Sequence, residues 1–410
     1  MKPMIRALTV FCIVVVATAV VEADDWPAFR GGAQGHSSEQ GLPLAWSEEA
    51  GVLWKAPVSG RGWSSPIVAN GQVWLTTSVE ADGGAGSLRL VAYDVQTGRE
   101  TLNVEVFQVG ESASPNPKNS LASPTPVVDG DRVYVHFGAD GTAALTTDGE
   151  LVWTTQFPYI SQHGNGGSPV LHGDRLILSI DGYDTAYVVA LDTATGEERW
   201  RTVRRDPISQ AYSTPLVIQV DGVDQIFSIG AFRATAYDPN SGSEIWEVSY
   251  GDGFSNVPAP AFGHGMVYIA TGFQVPSVIA VRADGQGDVT ATHIAWVLRR
   301  GAPLTPSPLL VGDELYVVSD FGIATCLDAR TGETRWRERL GGNFSASPVF
   351  ADGRIYFQSE EGVTTVLEPG PVYQELATNR LAGTTLASMA VANGSFFIRS
   401  HDHLYRIGGQ

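Results

Sequence analysis

Apolar residues along this chain come in short runs bounded by glycine, asparagine or aspartate, and the whole phrase recurs. Each copy opens on Ser-Pro or an equivalent, passes through apolar runs separated by a turn, and closes on Asp-x-x-Thr-Gly and a tryptophan. The fullest copies run from Ser168-Pro169 through Leu191-Asp192-Thr193-Ala194-Thr195-Gly196 to Trp200, and from Ser307-Pro308 through Leu327-Asp328-Ala329-Arg330-Thr331-Gly332 to Trp336. The opening prolines are Pro66, Pro126, Pro169, Pro215, Pro260, Pro308 and Pro348, at intervals of 60, 43, 46, 45, 48 and 40 residues. An eighth unit keeps the place without the proline, at Ala387-Ser388-Met389-Ala390. Two-residue turns such as Asn70-Gly71, Asp129-Gly130 and Gly173-Asp174 supply the positive φ of tight hairpins. Runs such as Val73-Trp74-Leu75, Val133-Tyr134-Val135 and Ile355-Tyr356-Phe357 suit strands. Four such strands per unit make one antiparallel blade, and a period of this length predicts a β-propeller.

The spacing from glycine to tryptophan is four residues in four units: Gly149 to Trp153, Gly196 to Trp200, Gly242 to Trp246 and Gly332 to Trp336. A tryptophan at this place is expected to wedge between neighbouring blades with its indole N–H on a backbone carbonyl. Losing one should cost about 3–5 kcal/mol. Leu102 and Gln374 stand there in the first and seventh units, and the fifth delays Trp296 behind an insertion after Gly285. These are the expected weak seams. The eighth unit supplies three strands, over 386–391, 395–399 and 404–407. The missing outer strand is expected from Val52-Leu53-Trp54-Lys55-Ala56-Pro57-Val58, with Trp54 as its docking residue. The fold class is therefore all-β: eight four-stranded antiparallel blades, the last closed by an N-terminal strand, which leaves no open sheet edge.

The start of the chain changes the picture. Residues 1–23 read as a secretory signal peptide, with Lys2 and Arg6 ahead of the mostly apolar Ala7–Val21, and Val21-Glu22-Ala23 before a cut at Asp24. That apolar stretch falls short of the ~20 residues of a membrane span. Cys12 lies inside it rather than behind it, so no lipid anchor is expected. Residues 24–51 form an arm ahead of the propeller at 52–410, and the expected location is secreted or periplasmic. Cleavage removes Lys2, Arg6 and Glu22 and moves the formal charge from −18 to −19. So acidic a surface repels nucleic acid and anionic lipid, and neither is an expected partner. Cys326 is then the remaining cysteine. It precedes Leu327-Asp328 on a strand interior and reads as a small buried hydrophobe, with no intramolecular disulfide.

The repeat Ala-Leu-Asp-x-x-Thr-Gly-x-x-x-Trp resembles the docking motif of the pyrroloquinoline quinone (PQQ)-like propellers, from about Val52 onward. The opening Asp25-Trp26-Pro27-Ala28-Phe29-Arg30-Gly31, with Gly60-Arg61-Gly62-Trp63-Ser64-Ser65-Pro66, is similar to the secreted bacterial branch. The resemblance implies two function classes. One is the quinoprotein dehydrogenases, which hold PQQ and Ca²⁺ on the ring axis and oxidise alcohols or sugars. The other is non-catalytic propellers of the BamB type. Dehydrogenases of this type carry adjacent cysteines, an axial carboxylate and amide for Ca²⁺, and an aspartate base. This chain has no adjacent cysteine pair. Asp181-Gly182-Tyr183-Asp184 is its nearest acidic cluster, otherwise a solvated hairpin loop. The resemblance thus favours a binding or scaffold module with no cofactor, with the PQQ- and Ca²⁺-dependent dehydrogenase as the alternative.

Other motifs add little. His401-Asp402-His403 places two imidazoles on one strand face, a start for a metal site, but at a turn and without a third ligand. Gly164-Asn165-Gly166-Gly167 lacks the strand-to-helix setting of a phosphate loop. Arg204-Arg205, beside Asp206, reads as a rim feature. No Gly-x-Ser-x-Gly or zinc-protease pattern occurs. One constellation remains: the loops before the inner strands bring Trp63, Asn119, His163, Asn165, Tyr212, Asn256 and Asn343 to one mouth of the channel. These groups either receive a protein, small-molecule or glycan ligand, or cap the strand starts and hold channel water. Catalytic and metal residues are not expected.

Overall fold

Every repeat proline sits one residue ahead of an inner strand, where a missing N–H costs no ladder hydrogen bond. Pro66 precedes Ile67–Ala69, Pro169 precedes Val170–His172, and Pro348 precedes Val349–Ala351. A computed structural model describes residues 25–32, 34–80, 86–109, 116–205 and 210–409. Residues 1–24, with the proposed signal peptide, lie outside the described residues, as does Asp206. Among the described residues no helix is long and apolar enough to cross a membrane.

The strands form eight antiparallel sheets, one per repeat. In the third blade the order is Val170–His172, Arg175–Asp181, Ala186–Asp192 and Glu198–Val203. The eighth blade takes Val52–Pro57 as its outer strand against His403–Gly408, with Trp54 opposite Arg406 and Ala56 opposite Leu404. Ring closure by the N-terminal strand is thus present. The fourth blade departs from the pattern. The insertion after Gly285 contributes Gly287–Asp288, which adds a fifth strand parallel to Glu244–Ser249.

The seams explain why the turn and the tryptophan recur together. Asp192 Oδ1 accepts the N–H groups of Ala194 (2.9 Å) and Thr195 (2.8 Å), and Asp328 does the same for Arg330 and Thr331. The turn glycine, at φ 75° in Gly196, then presents a bare face to the preceding blade. A Cβ there would stand 2.6 Å from the Trp153 ring, and likewise for Gly98 against Trp54 and Gly332 against Trp296. The indole N–H donates into the same turn: Trp54 to Val95 O, Trp153 to Thr193 O, Trp200 to Pro239 O, Trp296 to Ala329 O and Trp336 to Gly370 O, at 2.9–3.1 Å. Each tryptophan therefore reads the glycine turn of the next blade.

Two expectations need correction. Trp246 is buried, but its indole donates to the Gln225 side chain (3.0 Å) in its own blade, because the inserted strand takes the place of a neighbouring turn. In the seventh blade the docking place belongs to Ala377, opposite Val366, as Trp336 stands opposite Cys326; Gln374 lies outside the strand Glu375–Arg380. Leu102 does hold that place in the first blade, opposite Ala92 and against Gly149.

The arm fills the seam that Ala377 leaves. Trp46 stacks on Tyr356 of the seventh blade (6.4 Å) and meets Phe396 of the eighth (5.3 Å), and the Asn379 side chain clasps Trp46 N and Leu44 O. Upstream, the arm crosses the ring at the hairpin ends of the inner strands. Trp26 pairs with Val68, Pro27 O accepts from Val128, Gln34 from Phe262, and His36 bonds Leu310 O.

A second relay holds the channel wall. Where a hydroxyl stands just ahead of an inner strand it accepts the matching N–H of the preceding blade: Ser65 to Thr125, Thr125 to Ser168, Ser168 to Thr214, Ala259 to Ser307, Ser307 to Ser347 and Ser347 to Ser388; Ala259, ahead of Pro260, has no hydroxyl to offer. This is the physical content of the Ser-Pro motif.

Candidate functional site

The loops leading into the inner strands gather at the end of the channel opposite the arm. Asn119 Nδ2 donates to His163 O (2.7 Å), the His163 and Tyr212 rings lie 6.2 Å apart, and Tyr212 N donates to Asn256 O (2.7 Å). These four residues thus form one continuous arc from blade to blade. Trp63 donates its main-chain N–H to Ala122 O and faces the His401 ring at 5.9 Å. Asn165 sits deeper, its amide held by Phe137 O and the Tyr159 hydroxyl. Asn343 stands apart and is exposed, bonded to Glu361. Lys118 ties this region to the arc through a 2.7 Å ion pair with Glu360.

Most of the polar capacity here is already committed. Asn119 accepts from Ser120 N and Ser123 and donates to His163, so its amide caps the loop. Tyr212 is buried, and burial pushes its phenol up to about 12. Unspent atoms remain at two of the seven positions: Trp63 Nε1 and Asn256 Oδ1 are buried without a partner. Close by, Arg399 is fully buried, donates to Ser64 and Thr76, and leaves Nε and Nη2 unbonded; burial lowers its pKa to about 10.

An apolar set on the same face was not legible from residue patterns. Ile160 is 60% exposed, Phe273 54% and Phe321 69%, the first on the loop from the second blade to the third and the others on hairpin loops of the fifth and sixth. Tyr183 N donates to Ile160 O, and Phe273 N to Phe254 O, so both join the loops that carry the arc. The rings of Phe232, Phe254 and Phe273 follow one another at 6.2 and 5.6 Å.

Two side chains sit elsewhere than the motifs suggested. Asp181 is not in a solvated loop; it is buried, and Arg204 forks onto it at 2.7 and 3.1 Å while also holding Ser228. Arg204 is therefore an interior cation rather than a rim feature. Burial disfavours its charge, but Asp181 and neighbouring tyrosines more than offset this and raise its pKa. Arg205 is exposed and pairs with Glu247 (2.9 Å). Asp184 is exposed and accepts from Ile160 N. His401 is bonded to its neighbour Asp402, and His403 faces the Tyr405 ring. Among the described residues no three His, Cys, Asp or Glu side chains are grouped to hold a metal. Cys326 is buried, which pushes its thiol up to about 12.

The family model described as outer membrane protein assembly factor BamB matches residues 27–159, 143–227 and 230–370. The chain belongs to this PQQ-like, BamB-type propeller family. BamB from Moraxella catarrhalis is similar in fold at 13% identity, covering 87% of this chain and 99% of that one, with a TM-score of 0.59. The quinohemoprotein alcohol dehydrogenase ADHIIG from Pseudomonas putida HK5 aligns at 10% identity over 94% of this chain and 81% of its own, with a TM-score of 0.64. A europium-containing methanol dehydrogenase gives 10%, 92%, 89% and 0.58. At such identities the likeness is one of fold. Among curated proteins, the serine/threonine-protein kinase AfsK of Streptomyces griseus is 30% identical over 153 residues. That match spans 36% of this chain and 18% of the kinase. The BamB-type family thus shares its scaffold with dehydrogenases, and function rests on the site.

Proposed function

We propose that this BamB-type propeller is a non-catalytic binding scaffold whose channel-mouth face receives a segment of a protein partner, in the periplasm or outside the cell. The observation that carries this is the apolar set of Ile160, Phe273 and Phe321, exposed on blade loops at the end of the channel that carries Trp63, His163 and Tyr212. Exposed aromatic surface rimmed by polar groups is characteristic of interaction sites. The family description, an outer membrane protein assembly factor, supports a protein ligand over a glycan or small molecule.

PQQ, the cofactor of the alternative, is a tricarboxylate quinone that would supply redox chemistry beside Ca²⁺. The scaffold reading is favoured over it because the mouth carboxylates that would face Ca²⁺ are engaged and the chain has no adjacent cysteine pair. Glu360 is paired with Lys118, Glu361 is bonded to Asn343, the mouth amides are largely committed to the main chain, and the one described cysteine is single and buried.

The test is a photo-crosslinker at the exposed position 275, beside Phe273, in the native cell envelope, with and without Ile160→Asp/Phe273→Asp/Phe321→Asp. The expected result is a discrete protein adduct that the triple substitution removes while the melting curve stays unchanged. A glycan that binds and is lost in the same variant would reassign the ligand class. A PQQ- and Ca²⁺-dependent rise in melting temperature with dye reduction would overturn the scaffold reading. A ligand at 100 times its Kd adds about 2.7 kcal/mol, which such a scan detects.

A further inference from the structure

The protein is acidic, with 26 lysines and arginines against 44 aspartates and glutamates, yet one part of the mouth-side rim is basic. Arg299 and Arg300 follow the outer strand Ile294–Leu298 of the fifth blade, and Arg337 and Arg339 lie at the end of the outer strand Thr334–Arg339 of the sixth. All four are exposed. Elsewhere along the outer strands, arginines are neutralised within their own blade: Arg199 by Asp192, Arg201 by Glu198 and Arg335 by Asp328. Among the described residues no carboxylate pairs with the four at this rim.

Two of these guanidinium groups are held by neutral partners instead. Arg337 Nε donates to Thr325 Oγ1 (3.3 Å) and Nη2 to Arg300 O (3.1 Å), which ties the arginines of the two blades together. Arg339 Nη1 donates to Phe321 O (3.2 Å), in the loop whose ring is 69% exposed. A guanidinium carries five N–H donors in a planar fork, so most donors of each remain unspent. The acids close by in sequence are engaged elsewhere. Asp320 is buried and accepts from Leu304 N and the Thr305 hydroxyl, and Glu338 acts on Tyr373 of the seventh blade. Cations grouped without a counter-charge repel one another, and a carboxylate from outside relieves this while forming charge-assisted, bidentate bonds.

We infer that the rim where the fifth and sixth blades meet docks an acidic segment of a protein partner, its carboxylates on Arg300, Arg337 and Arg339 and an apolar side chain on Phe321. The inference rests on the protein-binding reading above and names the chemistry of the segment. Charge selects a short segment over a broad anionic surface. Screening confines the attraction to about 8 Å at physiological salt, and outside the patch the acidic body repels an anionic bilayer.

Panning a random peptide library on the full chain tests this. Enrichment of Asp or Glu beside an aliphatic or aromatic residue is expected. A synthetic copy of an enriched peptide should bind about tenfold or more weakly once its acids are changed to the amides, as for loss of charge-assisted contacts. Arg300→Gln/Arg337→Gln/Arg339→Gln should abolish the preference for acids. Arg299→Glu/Arg300→Glu, whose side chains bond nothing in the fold, should weaken the same peptide about tenfold as well, and keeps the test valid if the triple variant fails to fold. Arg99→Gln, at an exposed turn of the first blade, should leave binding unchanged. Peptides enriched without acids, or bound equally by the parent and both rim variants, would overturn the inference. So would sedimentation with phosphatidylglycerol vesicles that the triple substitution removes, by assigning the patch to a lipid surface. An adduct at position 275 without any acidic peptide bound would end this inference and leave the protein-binding reading standing. Absence of that adduct in the parent would end that reading, and this inference with it.

Discussion

Among single residues, Asp181 and Arg204 have the most to lose. Removing the carboxylate strands a buried guanidinium, so Asp181→Ala should cost about 3–5 kcal/mol, read as a lower urea midpoint. Replacing the pair together should cost less than the sum of the two single changes. Their partnership was invisible in the sequence because strand pairing, not spacing, brings position 181 to position 204. The turn aspartates behave oppositely. Asp94, Asp192 and Asp328 accept turn N–H groups and threonine hydroxyls, or an arginine, and are held below the ordinary 3.8. A carboxyl lowered in the fold stabilises it above the unfolded pKa and ceases to as pH falls through the folded value. Melting temperature should therefore drop below about pH 4, and the drop should shrink when Asp192 and Asp328 are both changed to Asn. An acid titration that leaves wild type and double variant parallel would count against this role.

For whole elements, the blades were legible and the arm was not. A period set by prolines, Asn-Gly turns and tryptophans survives in composition alone, so the strand order and the donated strand Val52–Pro57 could be anticipated. Residues 25–51 carry no period, since they follow the ring's contours rather than their own hydrogen-bond ladder. Trp46 there does the task of the absent seventh tryptophan, stacked across the seam between Tyr356 and Phe396. Trp46→Ala should accordingly cost about 3–5 kcal/mol, as much as a blade tryptophan such as Trp200. Thermal unfolding of the two variants side by side checks it; a negligible shift for Trp46 would reduce the arm to a decoration. The mouth loops were legible in position but not in role. Sequence placed Asn119, His163 and Tyr212 along one face, whereas only packing showed Asn119 committed to caps, Tyr212 buried, and Phe273 and Phe321 left outward.

Across the whole molecule, the ring depends on one strand pair between distant segments. Deleting residues 25–58 uncovers the edge of His403–Gly408 and removes Trp46 and Trp54, so the product should aggregate. A soluble monomer with the parent's melting curve would end the closure argument. Because the entropy of joining segments grows only with the logarithm of their separation, the long span delays closure in time far more than it weakens the closed ring. Synthesis runs from the N-terminus, so Val52–Pro57 is made before the other described strands and waits unpaired until its partner has emerged. A product cut short before His403 could build most of its blades correctly and would still offer an open edge to proteases and to other chains. Closure of the ring in this way doubles as a check that all eight blades have been made, one built into the pairing of Val52–Pro57 with His403–Gly408.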